Sequence, residues 1–279
     1  MSNNKLPVPN GPIDLDHFKD IRFREIVDDI HSFMKVPERK RNSVERCRGR
    51  SLLEPAVFES YKHWDNPWAI LNAELGSGMK ILDCGSGRGI LQFYLASKGI
   101  EVHSIDISDC RSKITKKLSR LLNNLGIRNQ LDPEGVHRKL NRKYKVNVSF
   151  TRESAEELSF PDNTFDRVFS ISVIEHMPDN VIMRSMREME RVLKPGGLLL
   201  LTFDYHPEEE PGIIGFTEND FREKALGACT LKIKGNEPDF GIPGWGRYIS
   251  SVNSRFRTRN PNTSFGIALK KSESDSANE

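Results

Sequence analysis

The chain has little that would mark it for export, for a metal or for a membrane. Its cysteines, Cys47, Cys84, Cys110 and Cys229, lie far apart and form no CxxC pair. That spacing argues against a zinc site or a disulfide framework and fits a reducing compartment. The longest apolar run, Leu198 to Leu201, is far too short to cross a bilayer. The opening residues, MSNNKLPVPNGPIDLD, lack the basic head and apolar stretch of a secretory signal. Excess charge is scarce too. A formal net charge of +3 does not by itself imply a nucleic-acid partner. No internal repeat is visible. A soluble, cytoplasmic protein without a metal site is the expectation.

What is present is a change of rhythm. At 279 residues the chain suits one domain of ordinary core size with an appendage. Residues 1 to 12 are rich in Asn, Pro and Gly and are expected to fray. Apolar residues then recur at helical spacing through Phe18, Ile21, Phe23, Ile26, Val27 and Ile30. After a basic stretch, the segment around YKHWDNPWAILNAEL again reads as helix. From Lys80 onward strands and helices alternate. Strands are predicted over 79–84, 101–106, 145–150, 165–172 and 198–203. Helices are predicted over 88–98, 108–125, 179–193 and 217–226, with Thr217 as an N-cap. The polar, basic segment 127–143 shows no pattern and reads as an insertion. KPGG at 194–197 reads as a helix stop and turn, and 229–235 and 263–271 read as final strands. Apolar strands alternating with helices predict an α/β fold, with a parallel sheet covered on both faces.

The stretch ILDCGSGRG, residues 81–89, lies where such sheets bind ligands, at the carboxyl end of the first strand. A dinucleotide fingerprint needs GxGxxG. Here Gly85 and Gly87 fit, but Ile90 takes the third place and Gly89 comes one residue early. Asp83 stands before the turn. A carboxylate there is awkward beside a pyrophosphate and welcome beside an ammonium group. Asp106 ends the second strand, where an acid can accept ribose hydroxyls. That feature alone would serve NAD equally well. Each acid has a plainer use: Asp83 can satisfy turn amides and Asp106 can cap the next helix.

Four stretches in order, ILDCGSGRG, SIDIS, ESAEELSFPDNTFDRVFSISVIEHM and LKPGGLLLLTF, give the chain its resemblance. It resembles the class I S-adenosylmethionine-dependent methyltransferases of the small-molecule type, over about residues 75 to 272. The resemblance implies a Rossmann-like, doubly wound, mostly parallel seven-stranded sheet with the last strand antiparallel. The division expected is an N-terminal helical extension over 1–74, the methyltransferase domain over 75–272 and a disordered tail over 273–279. The implied cofactor is S-adenosylmethionine, with S-adenosylhomocysteine as product. Asp83 would hold its ammonium, and Gly85, Ser86 and Gly87 would let its methionine tail lie on the backbone. Asp106 would take the ribose, with Ile107 against the adenine. Ser154 and Ala155 would meet the adenine edge, although many relatives carry Asp where this chain has Ser154. Ser170 and Ile171 would line the methionine end.

The acceptor is less legible. His176, directly after the fourth strand, is the candidate general base. His63, Trp64, Tyr205, His206 and Trp245 are candidate acceptor contacts. A small-molecule, lipid or glycan acceptor is expected. The basic residues between Arg111 and Lys145 keep an RNA or other nucleic-acid acceptor open as an alternative. A non-catalytic cofactor-binding protein is the second alternative. Two added segments are expected to wall the acceptor site: the N-terminal helical region, with Tyr61, His63, Trp64 and Trp68, and the segment 236–261, with Phe240, Trp245, Tyr248 and several arginines.

Overall fold

A computed structural model describes residues 6–35, 62–87, 89–107, 133–207, 215–241 and 263–273. One mixed sheet organises them. Its strands are β1 (Gly11–Pro12), β2 (Lys80–Cys84), β3 (Glu101–Ile105), β4 (Val148–Thr151), β5 (Phe165–Ile171), β6 (Leu193–Tyr205), β7 (Lys232–Ile233) and β8 (Thr263–Lys270). The order across the sheet is β1-β8-β6-β5-β2-β3-β4, with β7 also pairing with β8. Strands β2 to β6 pair in parallel, and β8 runs antiparallel to β6. The described sheet thus has eight strands, with β1 and β7 sharing the outer edge of β8. The order turns back between β2 and β5, which puts the switch point beside the glycine-rich turn.

Helices cover both faces. They are α1 (Ile21–Phe33), α2 (Lys62–Asn72), α3 (Leu91–Ser97), α4 (Pro133–Tyr144) and α5 (Asp179–Val192). Consecutive strand residues feed opposite cores. Leu82, Val168, Leu199 and Leu201 pack on one side with Met186 and Met189 of α5. Ile81, Phe169, Leu198 and Leu200 pack on the other with Trp64 and Trp68 of α2. This two-sided burial explains the unbroken leucine run in β6, since no face of that strand meets water. On α5 the buried Ile182, Met186, Met189 and Val192 recur at helical spacing.

The described part of the frayed segment is in fact docked. Leu6, Val8 and Ile13 are buried, and β1 adds to the edge of β8. Asn72 clamps Val8 from both sides, accepting its N–H at 3.1 Å and donating to its carbonyl at 2.8 Å. Asn10 donates to the carbonyls of Lys234 and Asn236 and accepts from the Ala268 N–H. Asn10 thus satisfies an edge amide of β8 and Asn72 satisfies the backbone of Val8, roles that composition could not reveal.

Other expectations are corrected. Part of the patternless segment 127–143 is α4, which buries His137 and turns its charged residues outward. KPGG is a bulge within β6, where the pairing jumps from Phe165↔Leu193 to Arg167↔Leu198. The predicted helix at 217–226 starts as expected, with a capping box between Thr217 and Asp220, but continues as a π turn over Phe221–Ala225. Phe240, offered as an acceptor surface, stacks on Phe265 at 4.6 Å and joins the core. The predicted helix 108–125 and most of the 236–261 loop lie outside the described residues.

Helix α2 meets the sheet at Gly266 of β8. A Cβ there would stand 2.5 Å from the Trp68 ring and 2.9 Å from the Trp64 ring. Gly266→Val should destabilise the protein by at least about 1–3 kcal/mol through overpacking. Urea unfolding read by tryptophan fluorescence will test this, and an unchanged midpoint would show that the indoles can move aside.

Candidate active site

The site is built at the carboxyl ends of β2 and β5. After Cys84 the chain turns through Gly85 at φ +75° and Gly87 at φ +52°. These are left-handed conformations that favour glycine. The Gly85 and Ser86 N–H groups both donate to the Ile105 carbonyl, at 2.9 and 3.0 Å. A Cβ on Gly85 would collide with Val173 at 2.5 Å, so the first glycine is demanded by packing as well as by φ. At Gly87 a Cβ would find no atom of the described residues closer than 3.9 Å. Among the described residues that side of the turn is open, with bare backbone facing the opening. The Asp106 carboxylate accepts the Gly87 N–H at 2.7 Å, which ties the turn to the end of β3. Asp83 and Asp106 are both buried.

A cavity of about 530 Å³ opens beside the turn. Its floor is Asp83, Gly85, Ser86, Gly87, Ile171 and Ser172. Its roof comes from the N-terminal extension: Val27, Ile30, His31 and Met34 of α1 and its C-terminal end, with Asn66 and Pro67 of α2. Ile90, Leu91 and Gln92 close the remaining wall. Ser172 has φ +52°, and its hydroxyl donates to the buried Asp65 of α2 at 3.2 Å. Ile107, following Asp106, is 65% exposed, an apolar side chain presented to solvent next to the glycine turn.

The predicted residues divide accordingly. Asp83, Gly85, Ser86, Gly87 and Ile171 line the cavity, with Asp106 bonded to the turn. Ser170 is buried in β5 behind Ile171. Ser154 forms a turn after β4, accepting the Glu157 N–H at its carbonyl, and Ala155 packs into the core; neither lines the cavity. His176 is exposed and outside the wall, because the turn after β5 buries Ile174 and Glu175 and rotates the imidazole outward. Trp64 is buried between Trp68 and His17, donating to His17 Nδ1 at 3.0 Å, and so belongs to the core. Burial lowers the His17 pKa and keeps that nitrogen available as an acceptor. Tyr205 is buried, its hydroxyl donating to the Phe240 carbonyl at 2.7 Å. Burial pushes its pKa up to about 12, which removes it as a base. His206 is buried under Gly215, where a Cβ would meet its ring at 2.7 Å. His63 lies on α2, and Trp245 lies outside the described residues.

Two buried carboxylates around a bare glycine turn, at the switch point of a parallel sheet, suit a cationic ligand with hydroxyls. Comparison with known proteins agrees. Residues 82–201 match the methyltransferase domain family. Over that stretch the chain is similar to the class I methyltransferases. It is similar to the ubiquinone/menaquinone biosynthesis C-methyltransferase UbiE of Hahella chejuensis, with 32% identity over 129 residues, 43% of this chain and 51% of that protein. It is also similar to the methyltransferase GfsG of Streptomyces halstedii, with 32% identity over 129 residues, 46% of this chain and 38% of that protein. The chain thus spans about half the length, or less, of these curated relatives. In outline it resembles the YcgJ protein of Bacillus subtilis, at TM-score 0.47 and 19% identity, over 76% of this chain and 99% of that one. Among the described residues no helix is long and apolar enough to cross a membrane, and no His, Cys, Asp and Glu cluster could hold a metal ion.

Sequence reasoning pointed to the N-terminal helical region but not to the residues of it that line this cavity. Val27, Ile30, His31 and Met34 follow the i, i+3, i+4, i+7 spacing of one helix face, which was legible; where that face docks was not. Gln92 also carried a signal, as the one polar residue within the apolar stretch from Ile90 to Ala96, save the Tyr94 hydroxyl.

A further buried imidazole feels the charge of Asp106. His137 of α4 stacks on Phe150 at 4.0 Å with Phe93 beside it. Burial pushes its pKa down to about 4, and the Asp106 charge only partly offsets this. The imidazole is therefore neutral in the fold and gains its proton on unfolding once the pH is below the ordinary 6.5. In the window from 6.5 down to about 4 the unfolded chain binds the extra proton, so stability falls with pH there. Such a shift is worth about 2–3 kcal/mol. Urea midpoints of the wild type should drop faster across that window than those of His137→Phe, which keeps the stack on Phe150. Parallel profiles would count against a neutral buried imidazole.

Proposed function

We propose that this chain transfers a methyl group from S-adenosylmethionine to a small-molecule acceptor. The carrying observation is the pair of buried acids, Asp83 and Asp106, on either side of a glycine turn whose open face is bare backbone. The residues fit the cofactor. Asp83 would accept from its ammonium, Asp106 would accept from its ribose hydroxyls, and the exposed Ile107 would give its adenine an apolar face. Gly87, with open space where a Cβ would stand, would let its tail lie against the main chain. When bound, the cofactor supplies an electrophilic methyl on a sulfonium that is already a good leaving group.

What remains for the protein is alignment and exclusion of water. Holding two reactants in line can supply roughly 7–11 kcal/mol. The roof from α1 and α2 is the segment placed to do so. Val27, Ile30, Met34 and Pro67 offer apolar contact, and Asn66 and His31 offer polar contact. A largely apolar acceptor with a polar head suits this wall. Among the described residues, His31 is the titratable side chain besides Asp83 that lines the cavity. It replaces the exposed His176 as the group to hold a proton released by the acceptor. In this reading residues 1–74 form the acceptor-side cap, 75–272 the methyltransferase domain and 273–279 a tail.

Calorimetry should give heat with S-adenosylhomocysteine and none with NAD; the reverse would overturn the reading. Asp106→Ala should weaken S-adenosylhomocysteine about ten-fold or more, since hydrogen bonds to a charged group contribute roughly 1.5–3 kcal/mol. The far-ultraviolet spectrum should stay unchanged. An unaltered dissociation constant would mean that the ribose is held elsewhere.

A further inference from the structure

Gln92 is buried without any exposure, and neither its Nε2 nor its Oε1 has a hydrogen-bond partner among the described residues. Other buried amides of the same core are satisfied. Asn72 is bonded through both side-chain atoms to Val8, and Asn10 is bonded through both of its own. Around Gln92 the helix α3 buries Leu91, Phe93, Tyr94 and Leu95. A leucine or methionine at 92 would suit such surroundings without the cost of an unpaired amide. The amide is therefore poorly explained by folding.

Its position supplies another explanation. Gln92 lines the cavity beside the glycine turn, where a Cβ on Gly89 would come 3.2 Å from its Oε1. The Ser86 hydroxyl, also buried and without a partner among the described residues, lines the same wall, and so does Asp83. A carboxylate, a hydroxyl and an amide with donors and an acceptor complement a zwitterionic amino-acid group. Asp83 matches the ammonium. The amide N–H matches the carboxylate, which Asp83 itself would repel.

We propose that Gln92 is a cofactor-binding residue specific to the amino-acid end, its Nε2 donating to the ligand carboxylate, so that the buried amide gains its partner only on binding. This rests on the functional reading above. Two ligands separate the two ideas: S-adenosylhomocysteine, and 5′-methylthioadenosine, which has the same nucleoside and sulfur but no amino-acid group. In Gln92→Met the melting temperature without ligand should be unchanged or higher. Affinity for S-adenosylhomocysteine should fall about ten-fold or more, as expected for loss of a hydrogen bond to a charged group. Affinity for 5′-methylthioadenosine should stay within about two-fold, a change well under 1 kcal/mol. Gln92→Leu, of different shape, should behave alike and guards against a packing artefact in the first variant. A lower melting temperature without ligand in both variants would make the amide structural. Equal loss of both ligands, or loss of neither, would also overturn the assignment. If the wild type binds neither ligand, it is the functional reading that fails.

Discussion

The contact of Trp64 and Trp68 with Gly266 holds the N-terminal extension to the sheet, and the cavity depends on it. Without a side chain at 266, two indoles stacked 5.8 Å apart lie directly on β8. Trp68 then reaches the Pro9 carbonyl with its Nε1 at 3.0 Å, and Trp64 reaches His17. These bonds bind the first described residues, the turn before α1, and α2 into one unit on the last strand. Asn66 and Pro67 follow from that anchoring, because they sit on the turn of α2 between the two indoles. A ligand site that needs both the glycine turn and the roof thus depends on a packing contact made far along the chain.

The glycine turn obeys a different constraint. Gly85 is fixed by two demands at once, a positive φ and the Val173 side chain pressed against its Cα. Gly87 has a positive φ and open space, so its bareness serves whatever occupies that space. The Asp106 bond to the Gly87 N–H joins the ends of adjacent parallel strands, which are in register at Asp83↔Ser104 and Cys84↔Ile105. Two carboxylates held this way in a partly dry site favour a cation and disfavour a phosphate. The same geometry that forms the turn therefore narrows the ligand class.

On the opposite face an aromatic cluster fills the core. Phe203, Phe221, Phe240 and Phe265 stack in a ring cluster with Tyr205. Such aromatic pairs add about 0.5–1.5 kcal/mol each beyond their buried area. A tyrosine whose hydroxyl is spent on the Phe240 carbonyl, inside that cluster, is a structural residue.

Much of this chain was legible as sequence because its signals are local. Alternating apolar runs, Gly85 and Gly87 after a strand, Asp83 before them and Asp106 one strand later follow from backbone geometry over a few residues. They gave the parallel sheet, the place of the site and the charge of its floor. Histidines and aromatics near strand ends gave no such guidance. Whether Trp64, Tyr205, His176 or His31 faces a cavity depends on which distant surface packs against it. A single residue of helical rotation turned His176 outward and Glu175 inward. The roof over the glycine turn, the docking of residues 6–13 and the isolation of the Gln92 amide come from contacts between segments dozens to hundreds of residues apart. Only the folded chain decides those, because burial is a property of the partner surface and no residue carries it alone.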